Sequence, residues 1–132
     1  EKGFDRIETY TGFQQRVRRT KRRLLRFLIE AKESGKSIVG YGAPGKGNTL
    51  LNYCGIRDDF VDFTVDRNTY KQGKFLPGTH IAIRAPEALA EARPDYVLVL
   101  PWNIRDEIIE QLGYIREWGG RFVVPIPELE VI

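Results

Sequence analysis

Residues 40–49, GYGAPGKGNT, put four glycines, a proline and a lysine into ten positions, directly after the apolar run Ser37-Ile38-Val39. Gly40, Gly42 and Gly45 keep the G-x-G-x-x-G spacing of a turn whose bare backbone N–H groups approach a phosphate. The helix expected behind the turn adds unpaired N–H groups and a partial positive charge. Lys46 supplies a mobile cation for a phosphate or carboxylate, a contact worth about 1.5–3 kcal/mol when charge-assisted. Asp66, 26 residues after Gly40, is placed to accept hydrogen bonds from ribose hydroxyls. The stretch also approaches a P-loop, but Gly47 stands where Ser or Thr would hold magnesium, which excludes an ATPase of that kind. Two plainer uses compete. Glycines after a first strand serve close helix–strand packing, and Asp66 alone would serve as well in a turn. Pro44 is uncommon in a dinucleotide loop and argues against ordinary NAD binding.

The elements that must position these groups follow from periodicity. Residues 10–34 carry Phe13, Val17, Thr20, Leu24, Phe27, Leu28 and Ala31 at three- and four-residue spacing, one face of a long helix. Thr9 or Thr11 is expected to cap its start and Gly35 to end it. Strands are expected at 37–41, 61–65, 81–83, 96–100 and 121–125. Helices are expected at 49–53 with Asn48 as N-cap, at 86–91 from Pro86, and at 104–118. In the last, Ile104, Ile108, Leu112 and Ile115 share a side. DRNTYKQGKFLPGTH, residues 66–80, reads as a polar loop. Strands alternating with helices imply an α/β, Rossmann-like three-layer domain. Its sheet is expected to be mainly parallel, of about five strands in order 3-2-1-4-5, with the long N-terminal helix on one face. The glycine loop, Asp66 and Pro101-Trp102-Asn103 all follow strands, so they should meet at the carboxyl rim, where such sheets bind ligands.

The 132 residues suit one domain, and 42% hydrophobic with 30% charged side chains indicate a globular chain without a membrane span. Cys54 is the sole cysteine and His80 the sole histidine, which excludes an internal disulfide framework and a metal site of familiar spacing. A cytoplasmic location is expected on that ground. Methionine is absent and the sequence starts Glu1-Lys2, so residues 1–132 are expected to be one domain of a longer chain. The net charge of +3 is uneven: Arg16, Arg18, Arg19, Lys21, Arg22, Arg23 and Arg26 are seven cations uninterrupted by an acid.

Four stretches, GYGAPGKGNTLLNYCGI (40–56), VDRNTYKQGKFLPGTHI (65–81), PDYVLVLPWNIRDEI (94–108) and REWGGRFVVPIP (116–127), together resemble the C-terminal domain of S-adenosylmethionine-dependent sugar C-methyltransferases. The resemblance covers residues 10–127. Thr69 stands where that family often has proline. The resemblance implies methylation of a carbon on a nucleotide-linked deoxysugar. It also implies a division of labour: a preceding domain holds S-adenosylmethionine and the acid–base residues, and a zinc-binding module lies at the N-terminus. This domain then covers the active site and holds the nucleotide-sugar, with no metal, cofactor or catalytic residue of its own. The substrate-binding positions carried over are Gly42, Ala43, Pro44, Lys46, Gly47 and Asn48 in the first motif. Asp66, Arg67, Asn68, Lys71 and Gln72 follow in the second, and Trp102 and Asn103 in the third.

Two readings stay beside it. One is an independent NAD- or nucleotide-binding Rossmann module. The other is a nucleic-acid-binding domain using the basic helix 16–26, which is disfavoured because charges flanking an apolar stripe are ordinarily a solvated or interdomain face and few aromatics interleave with them. Tyr53 and Tyr70 suit stacking or packing equally. Cys54 and Trp118 are expected in the core, and His80 in a structural turn.

Overall fold

The computed structural model describes residues 2–132, with side chains from Gln15 onward. Helix α1 (Lys2–Glu33) begins well before the expected Thr9–Thr11 cap. No proline precedes those threonines, and Phe4 and Ile7 keep the three-residue spacing, so nothing stops the helix there. Gly35 ends it with φ 76°: its N–H reaches the Lys32 carbonyl at 3.0 Å, and the Lys36 N–H reaches that of Ala31 at 2.9 Å. This left-handed closure satisfies two carbonyls the helix would leave bare.

Seven strands form one sheet: β1 (Ile38–Tyr41), β2 (Thr64–Val65), β3 (Phe75–Leu76), β4 (Ile81–Arg84), β5 (Tyr96–Val99), β6 (Arg121–Val124) and β7 (Glu130–Val131). Their order is β3-β4-β2-β1-β5-β6-β7. The pairs β4–β2, β2–β1, β1–β5 and β5–β6 are parallel, whereas β3 and β7 pair antiparallel at the two edges. The count thus exceeds the five strands expected, and β3 lies inside the stretch read as loop. Two-residue strands are too short to show any alternation, so only pairing reveals them.

Alternation along the longer strands divides the core. Ile38, Leu98 and Val123 face Leu24, Leu28 and Ala31 of α1 and Leu51 and Cys54 of α2 (Gly45–Cys54). Val39, Tyr41, Val97, Val99, Phe122 and Val124 face the other way. There they meet Leu89 of α3 (Ala88–Ala92), Ile108 of α4 (Arg105–Gln111), and Leu112 and Ile115 beyond it. At the end of the sheet remote from the strand termini, the Asp95 carboxylate accepts the Ser37 N–H at 2.8 Å and Ser37 Oγ accepts the Asp95 N–H at 3.1 Å.

Three further helices depart from expectation. Helix α2 starts three residues before Asn48, with Pro44 at its N-cap and no side-chain cap bond. Asn48 is therefore inside the helix, its own N–H donating to the Pro44 carbonyl at 3.0 Å. Helix α3 starts two residues after Pro86. The expected helix 104–118 is broken at Leu112: a 3₁₀ turn (Trp102–Ile104), α4 and a second 3₁₀ segment (Gly113–Trp118) succeed one another. Gly113 is a poor helix former, and the break still buries Ile108, Leu112 and Ile115 while leaving Ile104 exposed.

The basic part of α1 carries exposed Arg16, Arg18, Arg19, Arg22, Arg23 and Arg26. Val17 and Thr20 are half-buried, and the Phe13 side chain lies outside the described residues. Lys21 sits 5.0 Å over the Tyr53 ring. Among the described residues none of these seven cations is in an ion pair. Cys54 is in the core as expected, and burial pushes its thiol up to about 11 despite nearby Lys21. The native chain should therefore resist thiol alkylation at pH 8, reacting only as it unfolds; rapid labelling without loss of structure would contradict this burial.

Candidate functional site

The strand termini carry two adjoining hollows. The first, of about 320 Å³, lies beneath Gly42, Ala43 and Pro44 and is bounded by Asp66, Arg67 and Lys71 on one side and by Glu107 and Gln111 of α4 on the other. The second, of about 760 Å³, opens between the loop after β2, Pro86 and Glu87 after β4, and Leu112 and Tyr114. Tyr41, Arg67 and Gln111 border both, so the two lie side by side along the rim.

The glycine loop is pinned from several directions. The Gly42 N–H bonds the Val65 carbonyl, and the Gly42 carbonyl accepts buried Thr64 Oγ1 at 2.7 Å. Lys71 Nζ donates to the Ala43 carbonyl at 2.9 Å, tying the second loop to the first. Gly42 has φ 94°, and a Cβ there would lie 2.7 Å from the Pro101 ring. Gly47 is buried for a similar reason, since its Cβ would approach Leu100 to 2.9 Å. A Cβ on Gly45, by contrast, would meet nothing within 4 Å. Thr64→Val should orphan the buried Gly42 carbonyl and destabilise the fold by about 1–3 kcal/mol, read by denaturant unfolding. An unchanged midpoint would show that this bond does not hold the loop.

The second loop is built by its own side chains. Asp66 Oδ1 accepts the Asn68 N–H at 2.8 Å, Asn68 Oδ1 accepts the Tyr70 N–H at 3.0 Å, and Gln72 Nε2 donates to the Asp66 carbonyl at 2.8 Å. Burial raises the Tyr41 phenol above its ordinary pKa, with Arg67 pulling it back and Asp66 pushing it further up. Tyr114 is raised by burial first, then by Tyr41 and Glu87. Both hydroxyls are therefore protonated at neutral pH and able to donate.

Of the residues singled out from sequence, Gly42, Ala43, Pro44, Asp66, Arg67 and Lys71 line the first hollow, and Arg67 and Gln72 line the second. Lys46, Gly47, Asn48, Asn68, Trp102 and Asn103 line neither. Lys46 and Asn103 are exposed, and Trp102 packs against the core on the α4 side. Asn48 Oδ1 is buried without a partner. Tyr41, Glu87, Glu107, Gln111 and Tyr114 were not anticipated. A faint signal existed for two: Glu107 and Gln111 are four apart, on one face of a helix following a strand end. His80, with φ 61°, precedes β4 and so lies at the opposite end of the sheet.

The family model for the C-methyltransferase C-terminal domain matches residues 1–127. The C-methyltransferase NovU of Streptomyces niveus is 45% identical over 123 residues, 93% of this chain. The chain spans only 29% of that relative's length. Among solved structures, a UDP-D-quinovosamine 4-dehydrogenase from Vibrio fischeri superimposes with a TM-score of 0.52. It is 20% identical, and the match covers 74% of this chain and 93% of that one, a likeness of Rossmann-like fold.

Proposed function

The chain belongs to the C-methyltransferase C-terminal domain family, and we propose that it is the substrate-binding and active-site-covering domain of an S-adenosylmethionine-dependent enzyme. That enzyme methylates a carbon of a nucleotide-linked deoxysugar in the cytoplasm. The observation that carries this reading is the hollow beneath Gly42–Pro44, where a pinned backbone turn meets Arg67, Asp66 and Lys71.

Each group has a use there. Arg67 presents a planar fork of donors suited to a diphosphate. Lys71 spends one ammonium proton on the Ala43 carbonyl and keeps two for oxygens in the hollow. Asp66 has one oxygen on the Asn68 N–H and further acceptor capacity for a ribose hydroxyl. Asn68 and Gln72 hold that loop in shape, while Lys46, outside the hollow, reaches the phosphates only as a mobile cation. Gly47 and Trp102 pack behind the rim, against Leu100 and the core on the α4 side.

Carbon methylation needs a proton removed beside a ketone and water kept from the reacting carbon. Fixing the remote diphosphate immobilises the sugar, and that positioning lowers the barrier. S-adenosylmethionine supplies the methyl group, held by a preceding domain of the same chain. Zinc belongs in this reading to a separate N-terminal module. Among the described residues no three His, Cys, Asp or Glu side chains converge to hold a metal.

Calorimetric titration of this chain with a thymidine diphosphate sugar tests the reading. Binding is expected, weakened by Lys46→Ala and more by Arg67→Ala, with no methylated product when S-adenosylmethionine is added. No binding would reject the phosphate role. Tighter binding of a nicotinamide dinucleotide would favour an independent cofactor module. The exposed cations of α1 carry a second reading, polyanion binding. It predicts steeply salt-dependent DNA affinity lost in Arg19→Ala and Arg23→Ala.

A further inference from the structure

We propose that the larger of the two hollows is a nucleoside subsite, in which Tyr41 and Tyr114 form aromatic walls for a base and Glu87 accepts an N–H from the base edge. This rests on the diphosphate occupying the smaller hollow, and it concerns Glu87, Leu112 and Tyr114, which lie outside the carried-over motifs.

The two hollows differ in their walls. The smaller one has two cations, Arg67 and Lys71, two acids, Asp66 and Glu107, and the glycine turn. The larger keeps Arg67, at the junction, with one acid, Glu87, and adds Pro86, Leu112 and Tyr114. A base is uncharged, offers flat faces and carries N–H donors, which suits walls of Tyr41, Tyr114, Leu112 and Pro86 around one carboxylate. The Tyr114 ring is held in place by an edge-to-face contact with Trp118, centroids 5.9 Å apart. Glu87 and Tyr114 both border this hollow.

The order along the rim is also consistent with a nucleotide. In an open parallel sheet the phosphates lie at the first strand's turn and the ribose at the second strand's terminal acid. The next unit outward then meets the loop after the neighbouring strand. Here that neighbour is β4, and its loop supplies Ala85, Pro86 and Glu87 to the larger hollow alone. Asp66 borders the smaller hollow and Arg67 and Gln111 border both, which places the ribose at the junction.

The test compares a nucleoside diphosphate with inorganic pyrophosphate on the chain by calorimetry. Glu87→Gln is expected to weaken the nucleoside diphosphate about 10-fold, the loss of a charge-assisted acceptor, and to leave pyrophosphate affinity unchanged. Tyr114→Ala should behave alike, with thermal unfolding monitored as a control. Glu87 is exposed, so its variant folds as the parent does. Arg67→Ala should weaken both ligands. If Glu87→Gln and Tyr114→Ala bind the nucleoside diphosphate as the parent does while Arg67→Ala does not, the base lies elsewhere and this proposal falls, with the diphosphate reading intact. If the parent binds neither ligand, both fall together.

Discussion

Gly42→Ala should destabilise the chain by about 3 kcal/mol and lower its melting temperature by roughly 10 °C. Two costs combine. The backbone stands at φ 94°, where a side chain is strained, and the new Cβ would lie 2.7 and 2.8 Å from two atoms of the Pro101 ring. Pro101 is a rigid ring in the chain following β5, so the backbone on one side or the other must shift. Gly45→Ala is the control within the same motif. Its Cβ meets open space, and alanine is the better helix former by about 0.8–1 kcal/mol in a helix interior, so stability should hold or rise. Thermal unfolding of the two variants side by side decides the matter. Equal melting temperatures would mean that the turn is not locked by Pro101.

Arg67→Ala should lower affinity for a nucleotide-sugar by about 10- to 100-fold, the range expected for losing one charge-assisted contact of about 1.5–3 kcal/mol. Its melting temperature should stay close to the parent's, because Arg67 is exposed and among the described residues makes neither an ion pair nor a side-chain hydrogen bond. In a full-length enzyme the same change should raise KM and, if the bound diphosphate positions the sugar, lower kcat as well. Lys71→Ala is expected to differ. That side chain ties the two loops together through the Ala43 carbonyl, so both affinity and stability should fall. Unaltered affinity in Arg67→Ala would remove the guanidinium from the site.

The two pairs of variants separate uses of residues that a motif presents as one unit. Gly42 and Gly47 are required by neighbours just past the end of β5, Pro101 and Leu100, whereas Gly45 is not. Likewise Lys71 is a structural tie as well as a cation at the hollow, and Arg67 is a cation without such a tie.

The mixed α/β class and the longer strands were legible in the residues because burial acts on every turn and every pleat. The alternation Ile38/Val39 and Val97/Leu98 assigns opposite faces, and the three-to-four spacing of Leu24, Leu28 and Ala31 assigns a helix its buried side. Family membership was legible too, since four motifs survive in order and do not depend on knowing which elements touch. What folding alone decided is convergence. Tyr41, Glu87, Gln111 and Tyr114 stand on separate elements, and no local period reports that the loop after β4 meets the end of α4 across the rim. The break at Leu112, after which Tyr114 borders the same hollow as Tyr41, is likewise a tertiary outcome: Ile108 and Ile115 are buried on either side of it without a continuous helix between them. Periodicity is set by each segment's own contact with the core, whereas a site is set by distances between segments, and those exist only once the layers have packed.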